Sequence, residues 1–173
     1  NIGNDTMVRA GRLIKEAGIK LRTSNMYFLP GETIDNAFET IQINKAMGVD
    51  YPWVYAFQPY PNTPLYDYAV KNGFLDKNFS FNDIDPLGLV KSPIELKDTS
   101  KILVLHRLFY YAVKIPGFEY LLKFLVYVPN NFLFDFLHRM SLLFTYAGYH
   151  QISIFKALTV TLQARRQLKA NVE

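Results

Sequence analysis

The stretch NMYFLPGETIDNAFETI, residues 25–41, joins an apolar, strand-like run to a helix-like run through a three-residue turn. The turn is Pro30, Gly31 and Glu32, so a residue with a fixed φ, a residue without a side chain and a carboxylate follow one another. After the turn, apolar residues recur at helical spacing, namely Ile34, Ala37, Phe38 and Ile41. The stretch therefore predicts a buried strand that leads directly into an amphipathic helix.

The position of this turn predicts contact with a ligand. At the carboxyl end of a parallel strand, the backbone amides and the next helix's N-terminus face a common crevice. Gly31 would let a ligand approach the backbone closely, and Glu32 could accept hydrogen bonds from a hydroxyl or amino group. In the alternative interpretation, Glu32 is only favourable at a helix start and Thr33 caps the helix.

The flanking sequence repeats this alternation of helices and strands. Helices are predicted from an Asp5 cap to Gly18, from Thr33 to Gly48, and over Leu65–Lys71 after a Thr63-Pro64 cap. Strands are predicted over Ile19–Leu29 and Tyr51–Tyr60. Strands separated by helices of this length are typical of parallel sheets, so an α/β fold is expected over residues 1–75.

Two strands do not make a stable sheet, so this part is expected to lean on further strands upstream. The chain starts with Asn1 and runs at once into helical sequence. We therefore expect a truncated chain, whose first partner is the missing N-terminal part of the same protein.

The remaining sequence divides into a connection and a helical region. Residues 76–100 are rich in Asn, Asp, Ser, Pro and Gly and predict a linker. Residues 101–173 predict an all-α region that is rich in aromatic residues and is broken at Pro116-Gly117, at Pro129–Asn131 and at Gly148.

The C-terminal helices carry more apolar residues than one core requires. Phe132, Phe134, Tyr127 and Tyr149 fall off the main helical stripes, so the helices are expected to cover another domain or to rest on a membrane surface. The longest uncharged run, residues 140–155, is shorter than the ~20 residues that a spanning helix needs. A cytoplasmic protein is expected, with a peripheral membrane contact as an alternative.

The composition excludes several kinds of site. The net charge is +4 and the cations are scattered except for a late cluster at Arg165, Arg166 and Lys169, so no nucleic-acid partner is expected. The chain has no cysteine, which excludes disulfides and any thiolate-held iron–sulfur cluster. Its three histidines lack the spacing of a zinc site. Asp83 and Asp85 are interpreted as turn formers, and no nucleophile motif or phosphate-binding loop is recognised.

Two turns with their flanking elements resemble a known family. The chain has the order IKEAGIK, a strand, LPGET, a helix, a second strand, PYPNTPLY and NGFL. This order resembles the later part of the barrel of radical S-adenosylmethionine enzymes, most closely the cobalamin-binding branch. The resemblance covers about residues 1–75. It implies a partial (β/α) barrel made of the last strand–helix units, followed by the all-α C-terminal region.

The resemblance implies a set of cofactor-binding residues. The segment through the first turn would line the S-adenosylmethionine pocket, which assigns Met26, Pro30, Gly31 and Glu32 to it. The second strand would contact the adenine through Phe57, Gln58 and Pro59, and a ring at position 57 would suit a purine. No catalytic or metal-ligating residue is assigned.

Two positions depart from the family pattern. Phe28 stands where the family usually has glycine, and its bulk is expected close to the ligand. Asn62 also replaces a glycine, but asparagine tolerates a left-handed φ, so the second turn is expected to survive.

The family's reaction needs a 4Fe–4S cluster that reductively cleaves S-adenosylmethionine, and cobalamin in the branch resembled here. The cysteine triad for the cluster lies outside this chain, so the chain alone is expected to be inactive. The full protein would then transfer a methyl group to, or rearrange, a small-molecule or lipid-like substrate. The alternative is a non-catalytic module that docks a partner or a membrane through its aromatic helices.

Overall fold

The computed structural model describes residues 2–84 and 92–170. The elements are α1 (Asn4–Glu16), β1 (Arg22–Tyr27), α2 (Ile34–Met47), β2 (Tyr51–Ala56), α3 (Pro64–Lys71), a short 3-10 helix (Phe81–Asp83), α4 (Thr99–Lys114), α5 (Phe118–Leu125), α6 (Phe132–His150) and α7 (Ile154–Ala170). The fold is therefore mixed α/β and mostly helical.

The two strands form a parallel sheet, as the alternation of elements predicts. Arg22 is opposite Tyr51 and Tyr27 is opposite Ala56. Within the described ranges the sheet has these two strands and no closed barrel. At the entry end, the Asp50 carboxylate accepts hydrogen bonds from the Leu21 N–H at 2.8 Å and from Lys15. These bonds lower the pKa of Asp50 to about 2, although burial acts to raise it.

Helix boundaries follow the predicted signals at α2 and α3. The Thr33 side chain accepts the Asn36 N–H in a reciprocal capping box, and Gly48 ends α2 at φ +67°. Thr63 caps α3, which begins at Pro64. The predicted Asp5 cap is wrong: Gly3 is the N-cap of α1, and Asp5 lies in the first turn, where its charge still favours the helix dipole.

Both strands are shorter than predicted. β1 ends at Tyr27 because Phe28 adopts a left-handed conformation, with φ +67°, which turns the chain out of the sheet. β2 ends at Ala56, and the three residues that follow it are buried without belonging to the strand.

Alternate residues of β1 face opposite sides of the sheet. On one side, the Tyr27 hydroxyl donates to the Ala37 carbonyl at 2.7 Å and Thr23 donates to Asn44 at 2.6 Å, so this face packs on α2. On the other side, the guanidinium of Arg22 lies over the Trp53 and Tyr149 rings, 5.4 and 4.7 Å from their centroids. The end of α6 therefore covers only the entry end of this second face.

The C-terminal helices pack directly on the α/β part. α4 contacts both α2 and β2, and the Tyr27 ring meets the Phe109 ring edge-on at 5.7 Å. One hydrophobic core contains Tyr27, Ile41 and Val54 together with Ile102, Leu105 and Leu108 of α4. The helical region and the α/β region thus share a single core.

The described parts of the predicted linker have defined structure. Asp83 accepts hydrogen bonds from the Ser80 N–H and hydroxyl, which confirms it as a turn former, whereas Asp85 lies outside the described residues. Further along, Ile94 is buried and the Glu95 N–H donates to the Phe74 carbonyl at 2.8 Å. The end of this segment is therefore part of the core.

Candidate functional site

The two turns singled out in the sequence lie at the same end of the sheet. The strands are parallel and Tyr27 is level with Ala56, so both chains leave the sheet side by side. The Phe57 N–H donates to the Tyr27 carbonyl at 2.9 Å, which joins the two exits directly.

Glu32 organises the first turn. Its Oε2 accepts the Phe28 N–H at 2.5 Å and the Leu29 N–H at 3.2 Å, and the Glu32 N–H donates back to the Leu29 carbonyl at 2.9 Å. Gly31 has φ +84°, a conformation that favours glycine. The turn thus holds a carboxylate in place against the end of β1.

The pKa of the Glu32 carboxyl is raised towards neutral pH. Burial raises its pKa to about 7, while the hydrogen bonds from the Phe28 and Leu29 amides act in the opposite direction. Both of these hydrogen bonds use Oε2, and within residues 2–84 and 92–163 no donor reaches Oε1. This oxygen is available to accept a hydrogen bond, or to donate one when protonated.

A groove of about 820 Å³ opens beside this turn, between α1, α2 and the free edge of β1. Met26, Pro30, Gly31 and Glu32 all line it, so the first four predicted site residues lie together. Met26 is 45% exposed, so its side chain is accessible to a ligand.

The floor of the groove is an unpaired strand edge. The Leu21 and Tyr27 carbonyls accept hydrogen bonds from the N–H groups of Tyr51, in β2, and of Phe57, just after it. Because the backbone groups of a parallel strand alternate in direction, those of Ser24 and Met26 point away from β2 and towards the groove. The groove therefore offers both an acidic side chain and free backbone donors and acceptors.

The second set of predicted residues lies elsewhere. Phe57, Gln58 and Pro59 are buried and are not among the residues that line the groove. The Phe57 carbonyl accepts the Ser92 hydroxyl at 2.6 Å, so the connection to α4 covers this side of the sheet. The structure brings together the residues of the first turn and separates them from those of the second.

Phe28 does not enter the groove. Its side chain is buried beside the His106 ring, with centroids 6.2 Å apart, so its bulk belongs to the core. Asn62 has φ +65°, which confirms the expectation that asparagine takes the left-handed position in the second turn.

One polar cluster at the groove was not predicted. Asn44 donates to Asn25 at 2.8 Å and accepts from Thr23 at 2.6 Å, and all three residues line the groove. The signal in the sequence is the i, i+2 spacing of Thr23 and Asn25, which places two polar side chains on the strand face that meets α2. Because Asn44 is almost fully buried, this cluster fixes α2 against β1.

In the part of the chain that the structure describes, no group of three or more His, Asp or Glu side chains could hold a metal ion. Without a cysteine in the sequence, the residues present do not fit a 4Fe–4S cluster. The groove does fit an organic ligand that carries amino or hydroxyl groups. A comparison of the chain with protein families, with curated proteins and with solved structures found no match.

Proposed function

We propose that this chain is the last part of a radical S-adenosylmethionine enzyme, in which β1 and β2 form part of a (β/α) barrel wall and the C-terminal helices form a cap. The observation that carries the proposal is the free edge of β1, which lies at the bottom of a groove beside the Pro30–Glu32 turn. Another strand could complete this edge, because its unpaired backbone groups are otherwise left to water.

The position of α1 supports a preceding strand at this edge. α1 packs beside α2, and a Cβ on Gly11 would lie 2.6 Å from the Cγ of Met47, so the two helices are in close contact. In right-handed β–α–β units, the strand before α1 would lie under α1 and pair with β1. The missing N-terminal part of the protein would supply that strand and those before it.

The groove residues have distinct roles in the proposed pocket. Gly31 gives a ligand close access to the backbone, Met26 offers an apolar contact, and Oε1 of Glu32 accepts a hydrogen bond from an amino or hydroxyl group of S-adenosylmethionine. A cluster held by residues outside this chain would supply the electron for reductive cleavage of the cofactor. The same proposal includes cobalamin as a second cofactor. It also includes the reaction, which transfers a methyl group to a small-molecule or lipid-like substrate or rearranges that substrate.

The cap has a physical purpose in this scheme. α4 closes one face of the sheet and α6 reaches the other face, where a Cβ on Gly148 would lie 2.9 Å from the Tyr51 ring. Helices this close to the strands exclude water from the parts of the sheet that they cover, and a radical reaction requires such exclusion.

The test uses the native polypeptide that contains this sequence, purified without oxygen. We expect bound iron and sulfide, and 5′-deoxyadenosine production that depends on a reductant. Glu32→Gln is expected to weaken S-adenosylmethionine binding about tenfold, since glutamine has one acceptor oxygen for the turn amides and the ligand where the carboxylate has two. Glu16→Gln removes an exposed carboxylate of α1 and serves as the control.

Two results would contradict the proposal. A native polypeptide without iron and without deoxyadenosine production would leave the second candidate, a non-catalytic module that docks through its helices. Equal cofactor binding by Glu32→Gln and Glu16→Gln would remove Glu32 from the pocket. The exposed aromatic side chains of α5 and α6 are the observation that favours the second candidate.

A further inference from the structure

The surface around the α5–α6 connection exposes a group of large apolar side chains. Tyr120, Phe124 and Tyr127 are 66%, 74% and 74% exposed, and Phe132, at the start of α6, is 85% exposed. We call this group, together with Phe136, the aromatic tip. We propose that the aromatic tip docks this protein onto the surface of an anionic lipid bilayer.

The tip is not the core-facing side of these helices. In α5, Leu122 is fully buried, and Val126 after it is also buried, so the helix already has an inner apolar face. In α6, Phe134 faces the core, whereas the Phe132 and Phe136 rings stack on each other outside it at 6.5 Å. Both helices thus have a second apolar side that faces outward, and exposure of such a surface to water is unfavourable.

The carboxylates near the tip are already paired. Glu119 forms an ion pair with Lys45, and Asp135 forms one with Arg107 at 2.8 Å. Asp98 pairs with Lys101, whose ammonium also lies 5.1 Å from the centroid of the Tyr127 ring. Among the described residues, no unpaired carboxylate at the tip is therefore left to repel an anionic surface.

The remaining charges at the tip are positive. Lys123 and Arg139 are exposed, and neither has a hydrogen bond or an ion pair with any residue in the described ranges. Lysine and arginine beside tyrosine and phenylalanine are the combination that places a helix at the headgroup level of a bilayer, with the rings in the acyl boundary and the cations near anionic lipids. This charge complementarity favours an anionic membrane as the occupant.

Docking on the membrane surface agrees with the lengths of the described helices. No helix in the described part of the chain is long and apolar enough to cross a bilayer. α5 has eight residues, so it would lie along the interface with its outer side down.

The test is co-sedimentation of the 173-residue chain with vesicles of phosphatidylcholine alone and of phosphatidylcholine with about 30% phosphatidylserine, at low and high salt. We expect binding to the anionic vesicles that decreases at high salt. Phe124→Ser with Phe132→Ser is expected to lower the bound fraction about tenfold, and Lys123→Glu to lower it about fivefold on anionic vesicles only. Because these side chains are exposed, the variants are expected to keep the wild-type unfolding temperature.

Phe155→Ser is the matched control. Phe155 is 84% exposed but lies in α7, beyond the opposite end of α6, so its loss is expected to leave vesicle binding unchanged. The proposal is overturned if anionic vesicles do not bind the chain at low salt, or if Phe155→Ser reduces binding as much as the tip variants do. It is also overturned if sedimentation velocity without lipid shows a dimer that the tip variants dissociate.

Discussion

The Oε2 atom of Glu32 accepts the backbone N–H of Phe28 at 2.5 Å, and so holds a bulky residue in a left-handed conformation at the end of β1. This contact lies between the core and the groove. The Phe28 side chain packs inside the protein, whereas the carboxylate that fixes its backbone lines the groove. One residue therefore both fixes the backbone at the end of β1 and lines the candidate site.

Two substitutions of Phe28 distinguish the contribution of its side-chain packing to stability from the cost of its strained backbone. Phe28→Ala is expected to cost about 4 kcal/mol of unfolding free energy, because it empties a buried site. Phe28→Gly loses the same packing but relieves the φ of +67°, so it is expected to be about 1 kcal/mol more stable than the alanine variant. Urea unfolding of both variants measures the difference, and a glycine variant less stable than the alanine variant would refute strain at this position.

Glu32 is expected to make stability fall as pH rises. The pKa of Glu32 is about 7 in the folded protein, against 4.5 for an ordinary glutamic acid. Between these values the folded state binds more protons than the unfolded state, so the contribution of Glu32 is fully present below pH ~4.5 and is lost through pH ~7.

Thermal melts from pH 4.5 to 8 test this by comparison with Glu32→Gln, which keeps an acceptor oxygen but does not titrate. The melting temperature of the wild type, relative to that of the variant, is expected to decrease across this range. The histidines are common to both proteins and cancel in the comparison. A constant difference would show that the pKa of Glu32 is not raised.

Gly11 is expected to be required for the contact between α1 and α2. A Cβ there would lie 2.6 Å from the Cγ of Met47, so Gly11→Ala is expected to destabilise the protein by about 2 kcal/mol, although alanine favours a helix. Met47→Gly removes all of the obstructing atoms, including the Met47 Cβ that would lie 2.7 Å from the new methyl group, and the double variant is expected to be more stable than the sum of the two single effects predicts. Additive losses in urea unfolding would contradict the close contact.

The direction of the backbone groups of β1 can be tested with proline. In the 173-residue chain, Ser24→Pro is expected to change the unfolding free energy by less than about 1 kcal/mol, because the Ser24 N–H points to the free edge. Thr23→Pro is expected to cost about 3 kcal/mol, because the Thr23 N–H points to β2. In the longer native polypeptide, Ser24→Pro is expected to be as damaging as Thr23→Pro if another strand pairs there.

Local features of this fold were predictable, and contacts between distant segments were not. Thr33, Gly48 and Thr63 act within a few residues of themselves, so the sequence pattern locates them correctly. The burial of Phe57 and Pro59 depends on Ser92 and the residues leading to α4, more than thirty positions later, and no local pattern encodes it. The separation of the second turn from the groove was therefore beyond sequence reasoning.

Trp53 makes the uncovered face of the sheet observable by spectroscopy. It is the one tryptophan in the sequence, it lies under the guanidinium of Arg22, and its buried indole N–H has no acceptor in the described part of the chain. An upstream segment or a ligand that covers this face would provide an acceptor or displace the cation, and either change alters indole emission. The tryptophan fluorescence of the unmodified protein therefore reports whether another segment or a ligand covers this face of the sheet.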